Sequence, residues 1–299
     1  MLGVDNMHPF NDPRLKEWRL DQLREYENFT FEKGDVTDEE HMEELVAEDP
    51  PEAIFHLAAR AGVRASTEKP REYLETNGMG TLNLLEQCRN HGIDRLILAS
   101  TSSLYGDHNE VPFSEDQPTD RPPSQYAASK KAAEAMAATY NDLNGIKTPV
   151  FRYFTVYGPA GRTDMAMLRF VRWVIEGEPI TIYGDGTQNR DFTYIDDIAR
   201  GTLMGRDVDG HEVINLGNDD PVELLDMVET IEDVVGKNAE KSFQRTHEAD
   251  MDATWADITK ARKRIGWEPR VDLPEGVRRT VTWFENNRAL ASCIDLGRV

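Results

Sequence analysis

The chain has 299 residues, 39% of them hydrophobic, enough for one large domain or two unequal ones with an apolar core. Its 55 acidic residues against 34 lysines and arginines give a net charge of −21, which argues against nucleic acid and anionic membranes as partners. Two isolated cysteines, Cys88 and Cys293, exclude a disulfide framework and a zinc-binding spacing, and no apolar run approaches the length of a membrane span.

The N-terminal stretch lacks the basic segment and apolar run of a secretion signal, so a reduced, cytoplasmic protein is expected. Most of the positive charge is arginine. Acid-rich, lysine-poor surfaces suit molar salt, where a Debye length of about 3 Å screens their self-repulsion. A salt-loving (halophilic) source is expected; the alternative is an acidic protein of ordinary habitat.

Leu2, Gly3 and Val4 read as the end of a strand, followed by Asp5. Residues 28–36 read as a second strand, ending in Gly34, Asp35 and Val36. Asp38 caps a helix over 39–47, with Met42, Leu45 and Val46 as its apolar face. Residues 53–59 are nearly all apolar, as suits a parallel strand covered on both faces. A long helix over roughly 71–91, stopped by Gly92, precedes a strand over 95–100, a helix over 125–144 and a strand over 148–153. This alternation predicts an α/β fold with a doubly wound parallel sheet. After Gly158 and Pro159 the rhythm changes. Helices over 165–176, 195–205, 223–235 and 273–287, with strands over 179–183 and 213–216, predict a smaller α/β region interleaved with the sheet.

Tyr126 and Lys130 stand four apart in the 125–144 helix, about one turn, and so point the same way. An ammonium beside a phenol favours the phenolate, which makes the phenol a usable base near neutral pH. Thr101, at the end of an apolar strand, offers a hydroxyl for a third corner. Such a trio can take a proton from an alcohol while a nicotinamide accepts the hydrogen. Taken alone, the Tyr and Lys also fit an ordinary helix surface.

With these segments in order, the chain resembles the extended short-chain dehydrogenase/reductase family, and within it the NAD-dependent sugar-nucleotide epimerases and dehydratases. The resemblance rests on Gly34, Asp35 and Val36; on His56, Leu57, Ala58 and Ala59; and on Thr101 with Tyr105 and Gly106. It rests further on Tyr126 with Lys130, on the run from 152 to 159, and on the run from 190 to 197. It implies a Rossmann-type NAD-binding domain over 1–157 with 192–218 and a substrate-binding domain over 158–191 with 219–299. It implies NAD as cofactor, a UDP-sugar as substrate, and a homodimer formed through helices near 71–92 and 126–144.

The resemblance assigns Asp5 to the adenosine ribose, favouring NAD over NADP because a 2′-phosphate would be repelled. Asp35 and Val36 match an adenine-edge contact, and Leu57, Ala58 and Ala59 a strand end over which the cofactor passes. Asn77 matches an asparagine beneath the cofactor, or is an ordinary exposed residue early in a helix. Lys130 and Tyr126 would face the nicotinamide ribose. A G-x-x-G-x-x-G loop with its strand and helix is implied ahead of Asp5, yet Met1 stands only four residues before that acid. An incomplete sequence is expected, the alternative being a form that binds NAD poorly.

On the substrate side, Arg190 is implied at the pyrophosphate, since guanidinium forks match phosphate oxygens. The strand at Ile182 and Tyr183 would lie beside the uracil, and Asp250 would contact ribose hydroxyls or is one more surface acid. Thr155 and Arg162 are similar to the residues that face the sugar carboxylate in UDP-glucuronate 4-epimerases, and Arg64 to their loop over the sugar. For Arg64 and Arg162 a surface salt bridge is the competing reading. Ser102 and Ser103 stand where 4,6-dehydratases and UDP-glucuronate decarboxylases carry acids, which argues against both chemistries. A UDP-sugar 4-epimerase is expected, with UDP-glucuronate and UDP-galacturonate the preferred pair and UDP-glucose and UDP-galactose next. A non-catalytic UDP-sugar-binding protein is the remaining alternative.

Overall fold

The computed structural model describes residues 1–245 and 251–296. Its parallel sheet is in two pieces. Among the described residues, β1 (Leu2–Asp5) pairs only with β2 (Thr30–Lys33), and α1 (Pro13–Arg24) crosses between them. After α2 (Glu39–Glu48), β3 (Ile54–His56) begins a four-stranded parallel sheet completed by β4 (Leu96–Thr101), β5 (Thr148–Tyr153) and β9 (His211–Leu216). β1 and β3 share no hydrogen-bonded register among the described residues, yet Val4 and Ile54 pack on one core.

The doubly wound character follows from strand periodicity. Successive side chains alternate between sheet faces. Leu96 and Leu98 of β4 and Val150 of β5 enter one core with Met42 and Val46 of α2, Leu84 and Leu85 of α5 (Gly80–His91), and Ala133 and Ala137 of α6 (Gln125–Asn144). Ile97, Phe151, Ile214 and Leu216 enter the opposite core with Ile198 of α8 (Ile195–Met204), Ala261 of α10 (Thr259–Ile265) and Trp267. All six β4 residues are buried, and each fully buried leucine or isoleucine contributes roughly 1.5–3 kcal/mol.

A third core covers the carboxyl ends of the strands. β6 (Thr155–Tyr157), β10 (Pro221–Glu223) and β12 (Ala253–Thr254) each pair with β8 (Asn189–Tyr194), while β7 (Ile180–Tyr183) pairs with β11 (Lys241–Gln244). α7 (Ala166–Glu176), α9 (Leu224–Val235) and α11 (Leu273–Asn286) pack on these strands through Val171, Val174, Met227, Val228, Val281 and Phe284, with α12 (Arg288–Ala291) beyond them. Leu15 of α1 also belongs to this core, and Trp18 meets Trp283 edge to face at 5.6 Å.

Among the differences from expectation are two helical segments. Helix α1 was not expected, although Asp12 caps it by accepting the Arg14 amide at 2.9 Å and Pro13 opens it. The single helix over 71–91 is instead α4 (Pro70–Leu74), a π-helical turn (Glu75–Met79) and α5, preceded by α3 (Val63–Glu68). The wide turn is where Asn77 enters the interior, wholly buried.

Candidate active site

The residues expected at the site gather at the carboxyl ends of the parallel strands. Asp5 ends β1, Asp35 follows β2, Leu57 to Ala59 follow β3, Thr101 ends β4, and Thr155 follows β5. In open α/β sheets ligands bind outside these ends, where the strand order reverses.

Helix α6 carries the Tyr and Lys. Ser124 caps it by accepting the Ala127 amide at 3.1 Å, and Gly145 ends it at φ 71°, in the left-handed region glycine tolerates. Tyr126 lies in hydrogen-bonding reach of the Thr101 hydroxyl and meets Tyr73 edge to face at 6.2 Å. Burial pushes the phenol above its ordinary pKa; the Thr101 hydrogen bond and then the Arg162 charge pull it back without cancelling that push. Lys130 lies one turn on from Tyr126 in α6. It is 1% exposed, and burial pushes its amine down to about 8, Glu134 opposing the shift. Arg162 is a cation that lowers the pKa of the phenol.

Beneath the pair lies a buried polar network. The Arg152 guanidinium grips Glu134 through Nε at 3.0 Å and Nη2 at 2.7 Å, and the Ser100 hydroxyl donates to the same carboxylate at 2.6 Å. Lys130 Nζ has no hydrogen-bond partner among the described residues. Asn77 is not the exposed helix residue of the competing reading. Its Oδ1 accepts the Arg60 amide at 2.7 Å, while Nδ2 donates to the Arg60 carbonyl and to Ser129 Oγ, each at 2.9 Å. It thereby ties the loop after β3 to α6. Thr81 donates to the Asn77 carbonyl at 2.6 Å and so accepts from His56 Nε2 at 3.0 Å. Burial, and then Lys130, push His56 down to about 3.

Of the three expected adenosine contacts, the two carboxylates are both anchored. Asp5 accepts the Met7 amide at 2.6 Å and pairs with Lys16 at 2.7 Å. Asp35 accepts from Asn6 at 2.8 Å and from the Thr37 amide and hydroxyl at 2.9 and 2.7 Å. Burial opposes its charge, but those hydrogen bonds hold its carboxyl below the usual value. Val36 is buried against α5. Its side chain lies so close to Gly80 that a Cβ there would stand 2.5 Å from it. Leu57 is 56% exposed, and Ala59 is also exposed.

On the substrate side, Arg64 lies over the Tyr183 ring, 4.7 Å from its centroid. Arg162 forms a two-bond pair with Asp164, Nε to Oδ1 at 3.0 Å and Nη2 to Oδ2 at 2.6 Å. Burial opposes the Arg162 charge, but Asp164, and then Tyr126 and Tyr73, hold its pKa above the usual value. Arg190 lines a cavity of about 540 Å³ with Tyr183, Gln188 and Asp252. Its guanidinium donates to the Asn189 carbonyl at 2.8 Å. Ile182 requires correction. Strand alternation turns its side chain into the third core, wholly buried, and leaves Tyr183 on the cavity wall. Asp250 lies outside the described residues. Tyr183 was expected beside the uracil together with Ile182, whereas Asp164, the partner of Arg162, was not anticipated; its signal was its position two residues after a candidate carboxylate-binding arginine.

Comparisons with known proteins agree with this geometry. A family profile described as GDP-mannose 4,6 dehydratase matches residues 2–280. The UDP-glucuronate 4-epimerase of Thermodesulfobacterium geofontis is 48% identical over 98% of this chain and 91% of its own length. The crystal structure of UDP-glucuronic acid 4-epimerase from Bacillus cereus, in complex with UDP-glucuronic acid and NAD, superposes with a TM-score of 0.89 at 35% identity, covering 95% of this chain and 90% of that one. The UDP-glucose 4-epimerase of Thermotoga maritima with UDP-glucose gives 0.87 at 29% identity, covering 96% and 99%. The chain belongs to the GDP-mannose 4,6 dehydratase family, within the group of NAD-dependent sugar-nucleotide epimerases and dehydratases.

Proposed function

We propose that this chain is an NAD-dependent UDP-sugar 4-epimerase whose preferred pair is UDP-glucuronate and UDP-galacturonate. One observation carries the reading. Arg162, a cation suited to a sugar carboxylate, and Tyr126, the group suited to take the C4 proton, lie close enough to shift each other's pKa. C6 of a hexose lies two bonds from C4, so a carboxylate at C6 and a hydroxyl at C4 suit neighbouring groups of this kind.

The chain's own residues fit NAD. Asp5 and Asp35 offer carboxylates at adjacent strand ends, Leu57 to Ala59 offer an exposed apolar edge, and the buried Lys130 amine has a donor to spare among the described residues. Asn77 acts through Arg60 and Ser129. NAD, when bound, supplies oxidation and re-reduction at C4. Tyr126 accepts the C4 hydroxyl proton and later returns it; Thr101 hydrogen-bonds the same oxygen. Arg162 and Thr155 hold the carboxylate and oppose its loss from the 4-keto sugar. Arg190 grips the diphosphate, while Arg64 and Tyr183 close over the nucleotide sugar. Residues 1–157 with 192–218 form the cofactor half, and 158–191 with 219–299 the substrate half. Exposed Leu74, Met79 and Leu143 on the helices near 71–92 and 126–144 support a homodimer through that face. No helix among the described residues is long and apolar enough to cross a membrane, which is compatible with a cytoplasmic site of action.

A second reading, UDP-glucose and UDP-galactose interconversion, is favoured by the Arg162 pairing with Asp164, which leaves that guanidinium edge engaged. Incubating the purified protein, supplied with NAD, with each of the four UDP-sugars tests both. Faster interconversion of the uronate pair is expected. Faster interconversion of the hexose pair would transfer the assignment to the second reading, and turnover of neither pair would overturn both.

A further inference from the structure

We infer that Asp164 competes with the carboxylate of a hexuronate substrate for the Arg162 guanidinium, and so sets how strongly the site distinguishes a uronate from a neutral hexose. The inference rests on the sugar-nucleotide reading above.

Arg162 Nε and Nη2 engage both oxygens of Asp164 at 3.0 and 2.6 Å. Two parallel bonds use a whole edge of the guanidinium, which is the arrangement any free carboxylate would seek. One edge cannot serve two carboxylates in this way, and two anions at one guanidinium repel each other. A hexuronate therefore gains that edge only by moving Asp164 aside. A neutral hexose, with a hydroxymethyl group at C6, leaves the pair intact.

The local structure permits the exchange. Arg162 and Asp164 flank Thr163, which is almost wholly buried and holds the turn in place. The Met165 amide closes that turn by donating to the Arg162 carbonyl at 3.3 Å. The Asp164 side chain is 25% exposed, so its carboxylate can exchange the pair for water without becoming a buried anion. It also stands just before α7, an 11-residue helix whose first turn has no acidic residue and no side-chain cap. The positive end of that helix favours an anion there. Asp164 thus has two acceptable places, on Arg162 and at the start of α7.

Isothermal titration of the unaltered chain and of Asp164→Asn with UDP-glucuronate, UDP-glucose and UDP tests the inference. Removing a partly exposed competing charge is expected to tighten UDP-glucuronate binding by roughly two- to fivefold. UDP-glucose and UDP are expected to bind as before, and UDP binding shows that the nucleotide site is folded. Asp164→Ala should give the same ratio. Unchanged or weaker UDP-glucuronate binding would show that Asp164 orients Arg162 instead, and equal tightening of all three ligands would remove the carboxylate from the explanation; either overturns the inference. Failure of the epimerase reading is separate. It appears in the unaltered chain as absent turnover, whereas the competition is read from the ratio of affinities between variant and parent.

Discussion

Arg162 and Tyr126 act on each other: the guanidinium lowers the pKa of the phenol, and the phenol raises that of the guanidinium. This coupling joins the proton-accepting group to the residue best suited to hold a C6 carboxylate. Lys130, one turn along α6, is buried and its own charge is disfavoured.

Lys130 should carry a stability cost. Its amine is pushed from 10.5 down to about 8 by burial, so between those values the unfolded chain binds the extra proton. Stability should rise as pH climbs from 8 toward 10.5, and the full penalty should be present below 8. Lys130→Met should be more stable than the parent at pH 7, by on the order of 1–3 kcal/mol, with a flatter profile between pH 8 and 10 and much lower activity. Urea unfolding at several pH values, alongside turnover assays, checks this.

His56 should make the fold sensitive to acid. Its folded value is about 3 against 6.5 when unfolded, so the unfolded chain binds more protons in that window. Stability should fall as pH drops from 6.5 toward 3, with this residue contributing up to ~1.4 kcal/mol per pH unit. His56→Gln keeps a donor for Thr81 and should flatten that limb. Thermal unfolding of variant and parent at pH 7 and pH 4.5 measures the difference, and parallel profiles would remove His56 from the explanation.

Asn77→Ala should cost about 1–3 kcal/mol, because it leaves the Arg60 amide and carbonyl without their partners. Ser129→Ala should cost less, since Asn77 keeps both bonds to Arg60. The same Asn77 variant should bind NAD more weakly, because the loop after β3 loses its tie to α6. Chemical denaturation and an NAD titration provide the two readouts.

Much of the fold was legible because its signals are local. Helix α6 runs from the expected residue to the expected residue, since Ser124 caps it and Gly145 stops it. The strand over 148–153 is equally clear, a largely buried stretch with Val150 and Phe151 at its centre. Helix α1 was hidden because it is strongly polar: among its residues only Leu15 and Leu20 are buried, which is too few to show a periodic stripe. The break in the 71–91 helix depends on Asn77 finding Arg60 and Ser129, contacts distant in sequence. Strand β8 was missed because its pairing with β6, β10 and β12 is tertiary. At the site, Thr101, Tyr126 and Arg162 were legible from motif and spacing, and they do come together. The side-chain direction of Ile182 and the partner of Arg162 needed three dimensions.

The net charge of −21 should make stability depend on salt. If the acid-rich surface is an adaptation to molar salt, the unfolding temperature should rise steadily as sodium chloride increases toward 1 M and above, as the Debye length shrinks to about 3 Å. Equal or greater stability at low salt would argue against a halophilic origin.

Tyr126→Phe is the most direct test, because it removes one oxygen and leaves the helix and its packing unchanged. With NAD supplied, conversion of UDP-glucuronate to UDP-galacturonate should fall by roughly 10²- to 10⁴-fold, while binding of UDP is retained. Turnover close to that of the unaltered chain would contradict the role of Tyr126 as the group that takes the C4 proton.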